Sequence, residues 1–288
     1  MAWTTLVETA ALAAHAGDAA LAIVDCRYRL DDEAWGVQEY ARAHIPGAVY
    51  AHLGHDLAGT RTGENGRHPL PDAAALRATF SRLGIDNSMQ VVAYDQDTGM
   101  YASRLWWLLR WLGHEAVAVL DGGFAKWTGE GRPTASGPDG ERGAAHEFTG
   151  APRAGLSLSA DDVAAIMRAP DWRLVDARSP DRYRGETEPI DKIAGHIPGA
   201  VNHFFQWNLN DRGTFRSPEE IRARLRESVG DVAPGHMVCY CGSGVTACHN
   251  LLALEHAGLH GAKLYPGSWS EWSSDPSRPI ARSTDCAS

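Results

Sequence analysis

Cys241 is followed at once by a glycine-bearing hexad, Gly242-Ser243-Gly244-Val245-Thr246-Ala247, with Cys239 and Cys248 on either side. Residues of these types suit chemistry on anions. The amides of a short turn can converge on one atom, and a helix beginning at that turn adds the positive end of its dipole. Such a setting favours thiolate over thiol and can bring a cysteine pKa from about 8.5 into a range of about 3.5–7.5. Cys241 is the candidate nucleophile, and the amides of Gly242, Ser243, Gly244, Val245, Thr246 and Ala247 are the candidate donors to the charge it carries. Gly242 and Gly244 permit backbone angles that other residues avoid. The hydroxyls of Ser243 and Thr246 either add donors or hold the loop. The plain alternative is a packing cysteine, since free cysteine is among the most buried residue types; the glycines and the helix that follows argue against it.

To hold the thiol there, Met237 to Tyr240 must form a short buried strand, and a helix must begin near Ala247 and continue through Glu255. The same arrangement is written twice. His44-Ile45-Pro46-Gly47-Ala48-Val49 recurs as His196-Ile197-Pro198-Gly199-Ala200-Val201, an offset of 152 residues. Ile23-Val24-Asp25-Cys26-Arg27 matches Leu174-Val175-Asp176-Ala177-Arg178, Val91 to Asp95 matches Met237 to Cys241, and Leu120 to Phe124 with Trp127 matches Tyr265 to Trp269 with Trp272. Blocks in one order at a domain-sized period mean a duplicated domain. Each copy alternates short β-branched runs with helical patterns, which predicts an α/β fold with a parallel sheet covered by helices on both faces. In the first copy the expected strands are 22–25, 48–50, 91–94 and 117–120, and the expected helices 5–15, 33–42, 72–83 and 101–112. In the second, Ser159 caps a helix to about Met167, Arg173 to Asp176 is a strand, and Ser217-Pro218-Glu219-Glu220 opens a helix as a capping box. The boundaries read 1–128 for a first domain, 129–155 for a Gly/Pro/Ser-rich linker with a possible strand at 146–149, and 156–288 for a second domain. Asp95 stands where the second copy has Cys241. A carboxylate cannot do thiolate chemistry, so the first domain reads as non-catalytic.

Composition narrows the partners. The chain has 288 residues, 44% of them hydrophobic, and a net charge of −9. That charge argues against nucleic acid or an anionic membrane as partner, though not against a small anionic substrate in a local pocket. Five cysteines in a chain this long make no disulfide framework and suit a reducing compartment, so the cytoplasm is expected. The first residues lack the basic flank and apolar core of a signal peptide, and Leu105 to Leu109 is too short to span a bilayer. No histidine pair has ligand spacing, so no metal and no cofactor is expected. Cys248 reads as packed in its helix or as a redox neighbour of Cys241; Cys286 lies in a polar tail. Trp269 is a candidate for the mouth of the pocket.

With both His-Ile-Pro-Gly-Ala-Val blocks and a loop cysteine in the second copy alone, the chain resembles the tandem-domain rhodanese superfamily, and within it the thiosulfate and 3-mercaptopyruvate sulfurtransferases. The resemblance spans about Ile23 to Trp272. It implies two similar rhodanese-like domains with the active site at their interface. It also implies a ping-pong reaction in which the cysteine takes a sulfane sulfur as a persulfide and passes it to cyanide, a thiol or a thioredoxin-like acceptor. Members that favour thiosulfate carry patterns like Cys-Arg-Lys-Gly-Val-Thr. Here those cations are replaced by Gly242 and Ser243, which should weaken dianion binding by a few kcal/mol and favour a keto-acid monocarboxylate. The family's substrate arginine falls on Arg182, in Asp181-Arg182-Tyr183-Arg184-Gly185, and a planar fork suits a carboxylate; Arg184 reads as a surface residue. Mercaptopyruvate-type members often have a second arginine in Glu-Pro-Arg, where this chain reads Glu188-Pro189-Ile190-Asp191-Lys192, leaving Lys192 as a substitute. His68 matches a first-domain histidine that faces the site across the cleft and could relay a proton to the enolate leaving group. His44 and His196, present in both copies, read as structural.

Two other classes compete. Cysteine phosphatases and arsenate reductases share the cradle but need an arginine at its end, where this chain has Ala247 and Cys248. A silent binding module would have no use for a cysteine in a complete loop.

Overall fold

Aliphatic runs without alternation, such as Leu21–Asp25 and Met237–Tyr240, are strands only if both of their faces are buried. The computed structural model describes residues 3–137 and 146–282. In it these runs are inner strands of two parallel sheets. The chain forms two compact units. The first comprises Met1–Gly59, Pro71–Arg153 and Asp211–Phe215; the second comprises Thr60–Leu70, Ala154–Asn210 and Arg216–Ser288.

The first unit runs β1 (Leu6–Val7), α1 (Thr9–Ala14), β2 (Leu21–Asp25), α2 (Trp35–Arg42), β3 (Ala48–Tyr50), α3 (Ala73–Arg82), β4 (Gln90–Tyr94), α4 (Ala102–Trp111), β5 (Val117–Leu120) and α5 (Gly123–Gly129). Its sheet has the order β1-β5-β4-β2-β3. The helix expected over 5–15 is shortened, because Leu6 and Val7 pair with Val119 and Leu120 as an edge strand before the helix begins at Thr9. Residues 146–149 form no strand; instead Phe148 is buried against Phe80, ring centres 5.1 Å apart.

The second unit runs α6 (Ala160–Ile166), β6 (Arg173–Asp176), α7 (Pro180–Arg184), β7 (Val201–Asn202), α8 (Pro218–Val229), β8 (Met237–Tyr240), α9 (Thr246–His256), β9 (Lys263–Leu264) and α10 (Ser268–Trp272). The order β7-β6-β8-β9 puts β8 in the sheet interior. Ser159 and Ser217 each make a full capping box, with Asp162 and Glu220 at the third helical position. The core under β8 gathers Leu174, Val238, Tyr240, Ile197, Trp269 and Trp272.

The repeated blocks prove to be one anchoring device used twice. Arg27 pairs with Asp25 and donates to the Ala43 carbonyl; Arg178 pairs with Asp176 and donates to the Gly195 carbonyl. His44 stacks on Tyr40, and His196 on Tyr183. Each of these buried imidazoles is hydrogen-bonded through Nδ1 to the carbonyl of the same tyrosine. Both histidines therefore serve the architecture. No helix among the described residues is long and apolar enough to cross a membrane. Cys286 lies outside the described residues.

Candidate active site

The strand β8 ends at Tyr240 and hands the chain to Cys241 at the carboxyl end of the sheet, where sites in open α/β folds lie. The backbone of Cys241 is held from both sides by the turn into α10. Its N–H donates to the Ser268 hydroxyl at 3.1 Å, and its carbonyl accepts from the Trp269 N–H at 2.9 Å. The Gly242 carbonyl accepts from the Ser270 N–H at 2.9 Å. Ser268 is the sole non-glycine at positive φ among the described residues, with φ 56°; its counterpart in the first unit is Gly123, at φ 57°. The second unit thus accepts a strained serine where the first has glycine, and gains a hydroxyl on the amide of Cys241.

The thiol is 2% exposed, and its Sγ accepts the N–H of Gly244 at 3.1 Å. Beneath the loop, the Cys248 thiol donates to the Gly244 carbonyl at 3.2 Å and is itself fully buried. Cys248 is therefore part of the packing that shapes the turn. Gly244 has φ 76°, and a side chain there would run into the Pro266 carbonyl. Gly242 is a glycine for a different reason. Its φ lies outside the left-handed region, but a Cβ would stand 2.7 Å from Nη2 of Arg67 and 3.6 Å from Nη2 of Arg182. Val245 precedes α9 while Thr246 and Ala247 open it, so their amides lie in the first turn of the helix. Burial pushes the Cys239 thiol up, with Cys248 and Cys241 adding to the effect, so Cys239 stays a neutral core residue.

Of the three expected neighbours, His68 and Arg182 fall at this loop. His68 travels with the segment Thr60–Leu70, which belongs to the same compact unit as Cys241. Its ring is 2% exposed, and Nδ1 is hydrogen-bonded with the Ser243 hydroxyl at 2.8 Å. Arg182 reaches Gly242, with Nη2 at 2.6 Å from Glu188 and 3.5 Å from Asp191. Lys192 is exposed on the wall of a cavity of about 570 Å³ that is also lined by Arg67, Asp191 and Ser270. The cation that stands closest to Gly242 is instead Arg67, which sequence reasoning passed over although it adjoins His68. It forms an ion pair with Asp191, and its backbone N–H donates to the Ser270 hydroxyl at 3.1 Å. Burial lowers the Arg67 pKa, whereas the nearby Asp191 and Cys241 oppose that change. Trp269 does not line a pocket mouth: it is fully buried under the Arg178 guanidinium and donates to the Ile193 carbonyl. Arg184 pairs with Glu186 at the surface.

The carboxylates are tuned in opposite directions. Burial raises the Asp191 pKa against the pull of Arg67. For Glu188, burial is outweighed by hydrogen bonds from Arg182 and from the Asp191 N–H, so its pKa falls. The first unit carries an equivalent loop. There Asp95 fills the equivalent place, and its carboxylate accepts the N–H groups of Asp97, Gly99, Tyr101 and Ala102. Burial nonetheless raises its pKa to about 6. The loop that faces a thiol in one copy holds a built-in anion in the other.

A model of the rhodanese-like domain matches residues 8–130 and again 159–275. The chain is 44% identical over 283 residues to a probable 3-mercaptopyruvate sulfurtransferase of Pseudomonas aeruginosa, covering 98% of this chain and 99% of that one. It is 41% identical to a putative thiosulfate sulfurtransferase of Mycobacterium tuberculosis, over 97% of each chain. Among solved structures, a 3-mercaptopyruvate sulfurtransferase of Leishmania major superposes with a TM-score of 0.82 at 32% identity, covering 94% of this chain and 74% of that one.

Proposed function

Because the chain belongs to the rhodanese-like family, with two copies of the domain, we propose that it is a sulfurtransferase that draws sulfur from 3-mercaptopyruvate. The thiolate of Cys241 attacks the donor sulfur. The carbon–sulfur bond breaks, its electron pair leaves with the enolate of pyruvate, and a proton converts that enolate to pyruvate. The sulfur stays on Cys241 as a persulfide until a cyanide ion, a small thiol or a thioredoxin-like protein attacks it and frees the thiolate. The amide of Gly244 and the first turn of α9 steady the charge on sulfur. Arg182 offers its fork to the donor carboxylate. The hydrogen bond between His68 and Ser243 supports a role for that pair in carrying the proton. In this reading residues 1–128 apart from Thr60–Leu70 form the non-catalytic domain, 129–155 the linker, and 156–288 together with Thr60–Leu70 and its His68 the catalytic domain.

The observation that carries the choice of donor is the charge balance at Gly242. Two guanidiniums stand there, and each already faces a carboxylate, Asp191 or Glu188. Such a site is near neutral overall and suits a monoanion better than a dianion. The likeness to a thiosulfate sulfurtransferase of Mycobacterium tuberculosis supports a second reading, with thiosulfate as donor. The deciding experiment is kcat/KM for each donor with cyanide as common acceptor. The ratio is expected to favour mercaptopyruvate by at least roughly tenfold, the value of one charge-assisted hydrogen bond; a ratio favouring thiosulfate transfers the assignment to the second reading. The four described cysteines are free, which supports the reducing cytoplasm as the compartment.

A further inference from the structure

The neighbour that the sequence left unassigned, Arg67, stands beside Arg182 at Gly242. Ile190 and Lys192 line the nearby cavity, where Lys192 is exposed. Arg67 comes from a different segment, yet its Nη2 overhangs Gly242 on the same side as Nη2 of Arg182. Asp191 touches both. It pairs with Nη1 of Arg67, and its Oδ2 lies 3.5 Å from Nη2 of Arg182. Its side chain is 8% exposed, against 22% for Arg67 and 16% for Arg182. A carboxylate bridging two guanidiniums beside the nucleophile's loop, at the wall of a 570 Å³ cavity, has the shape of a bound keto-acid carboxylate.

We propose that Arg67 and Arg182 together form the donor's carboxylate site, and that Asp191 is its resident anion, competing with the donor and setting the affinity of the site. This deepens the sulfurtransferase reading and rests on it for the identity of the donor; the anion site itself can be probed without sulfur. A monocarboxylate that enters takes one edge of each fork and turns Asp191 aside, while Glu188 keeps its hold on Arg182. With Glu188 retained and Asp191 displaced, the two guanidiniums leave one net positive charge, which a monoanion neutralises and a dianion exceeds. The absence of a side chain at Gly242 leaves the room that both forks occupy.

Pyruvate, which has the donor's carboxylate and no transferable sulfur, is the probe. Its binding to the full-length protein is measured by titration calorimetry, and its inhibition constant against mercaptopyruvate by steady-state kinetics. Arg67→Gln is expected to weaken pyruvate about tenfold, as the loss of one charge-assisted contact does. Arg67→Lys, which keeps the charge but not the fork, is expected to fall between that variant and the wild type. Asp191→Asn is expected to tighten pyruvate by about threefold or more, because the competing anion is gone. Melting curves identify any variant that fails to fold; Arg67→Lys then carries the arginine's test. If Arg67→Gln binds pyruvate within about twofold of wild type, or Asp191→Asn binds it no tighter, the proposal is overturned and the ion pair is a brace. If pyruvate behaves as expected while no donor yields a persulfide, the anion site stands and the sulfur-transfer reading falls.

Discussion

At the scale of single residues, the two thiols that flank the loop do different work. The sulfur of Cys241 accepts a hydrogen bond, whereas that of Cys248 donates one. Cys241→Ser is expected to abolish sulfur transfer with the fold intact. Cys248→Ser should keep much of the activity, since a hydroxyl can still donate to the Gly244 carbonyl; the reverse pattern would move the nucleophile to Cys248. The two glycines also separate. Gly244→Ala forces a side chain into a left-handed backbone against a carbonyl that cannot yield, at a cost of about 1–2 kcal/mol or more, and should lower the melting temperature by a few degrees. Gly242→Ala meets the far end of a flexible arginine. It should leave the melting temperature almost unchanged and raise donor KM, with kcat affected less. Equal effects on stability would show that the distinction between the two glycines is mistaken.

At the scale of elements, the site depends on α10 as much as on β8 and α9. Removing the Ser268 hydroxyl leaves the buried N–H of Cys241 without its acceptor, a loss of about 1–3 kcal/mol. Ser268→Ala keeps the positive φ and loses the bond, while Ser268→Gly loses the bond but relieves the backbone. Thermal denaturation should therefore rank wild type above Ser268→Gly and Ser268→Ala last; Ser268→Ala as stable as wild type would remove Ser268 from the loop's support. Much of this level was legible in advance. The strand at 48–50, the helix cap at Ser159 and the capping box at Ser217 follow from local patterns, and the repeat located the loop. The two-residue strands β1, β7 and β9 were not legible, because so short a pairing carries no period and is set by the neighbouring strand. Nor was the five-residue α10, whose place is fixed by bonds to Cys241 and Gly242. Arg67 was hidden for a related reason: its nearness to Gly242 arises from packing between residues far apart in the chain, which no local spacing records.

At the scale of the whole molecule, stability should fall with acid through a group remote from the chemistry. His203 is fully buried, hydrogen-bonded with Ser228 of α8 and with Asn208, and its carbonyl accepts from Asn250 of α9. Burial lowers its pKa to about 4. Below about pH 6.5 the unfolded chain binds a proton that the folded chain does not, so stability is full above that pH. It is lost as pH falls towards 4, by about 3 kcal/mol in all. The advantage of wild type over His203→Gln in chemical denaturation should shrink across this window, and a constant difference would show that His203 does not titrate there. The function itself rests on sulfur residing on one side chain. Intact-protein and peptide mass spectrometry after mixing with 3-mercaptopyruvate, without acceptor, tests this most directly. The account predicts a gain of one sulfur atom on the peptide bearing Cys241, removed by cyanide and absent in Cys241→Ser. A wild-type protein that gains no sulfur, or a Cys241→Ser variant that gains it equally, would contradict it.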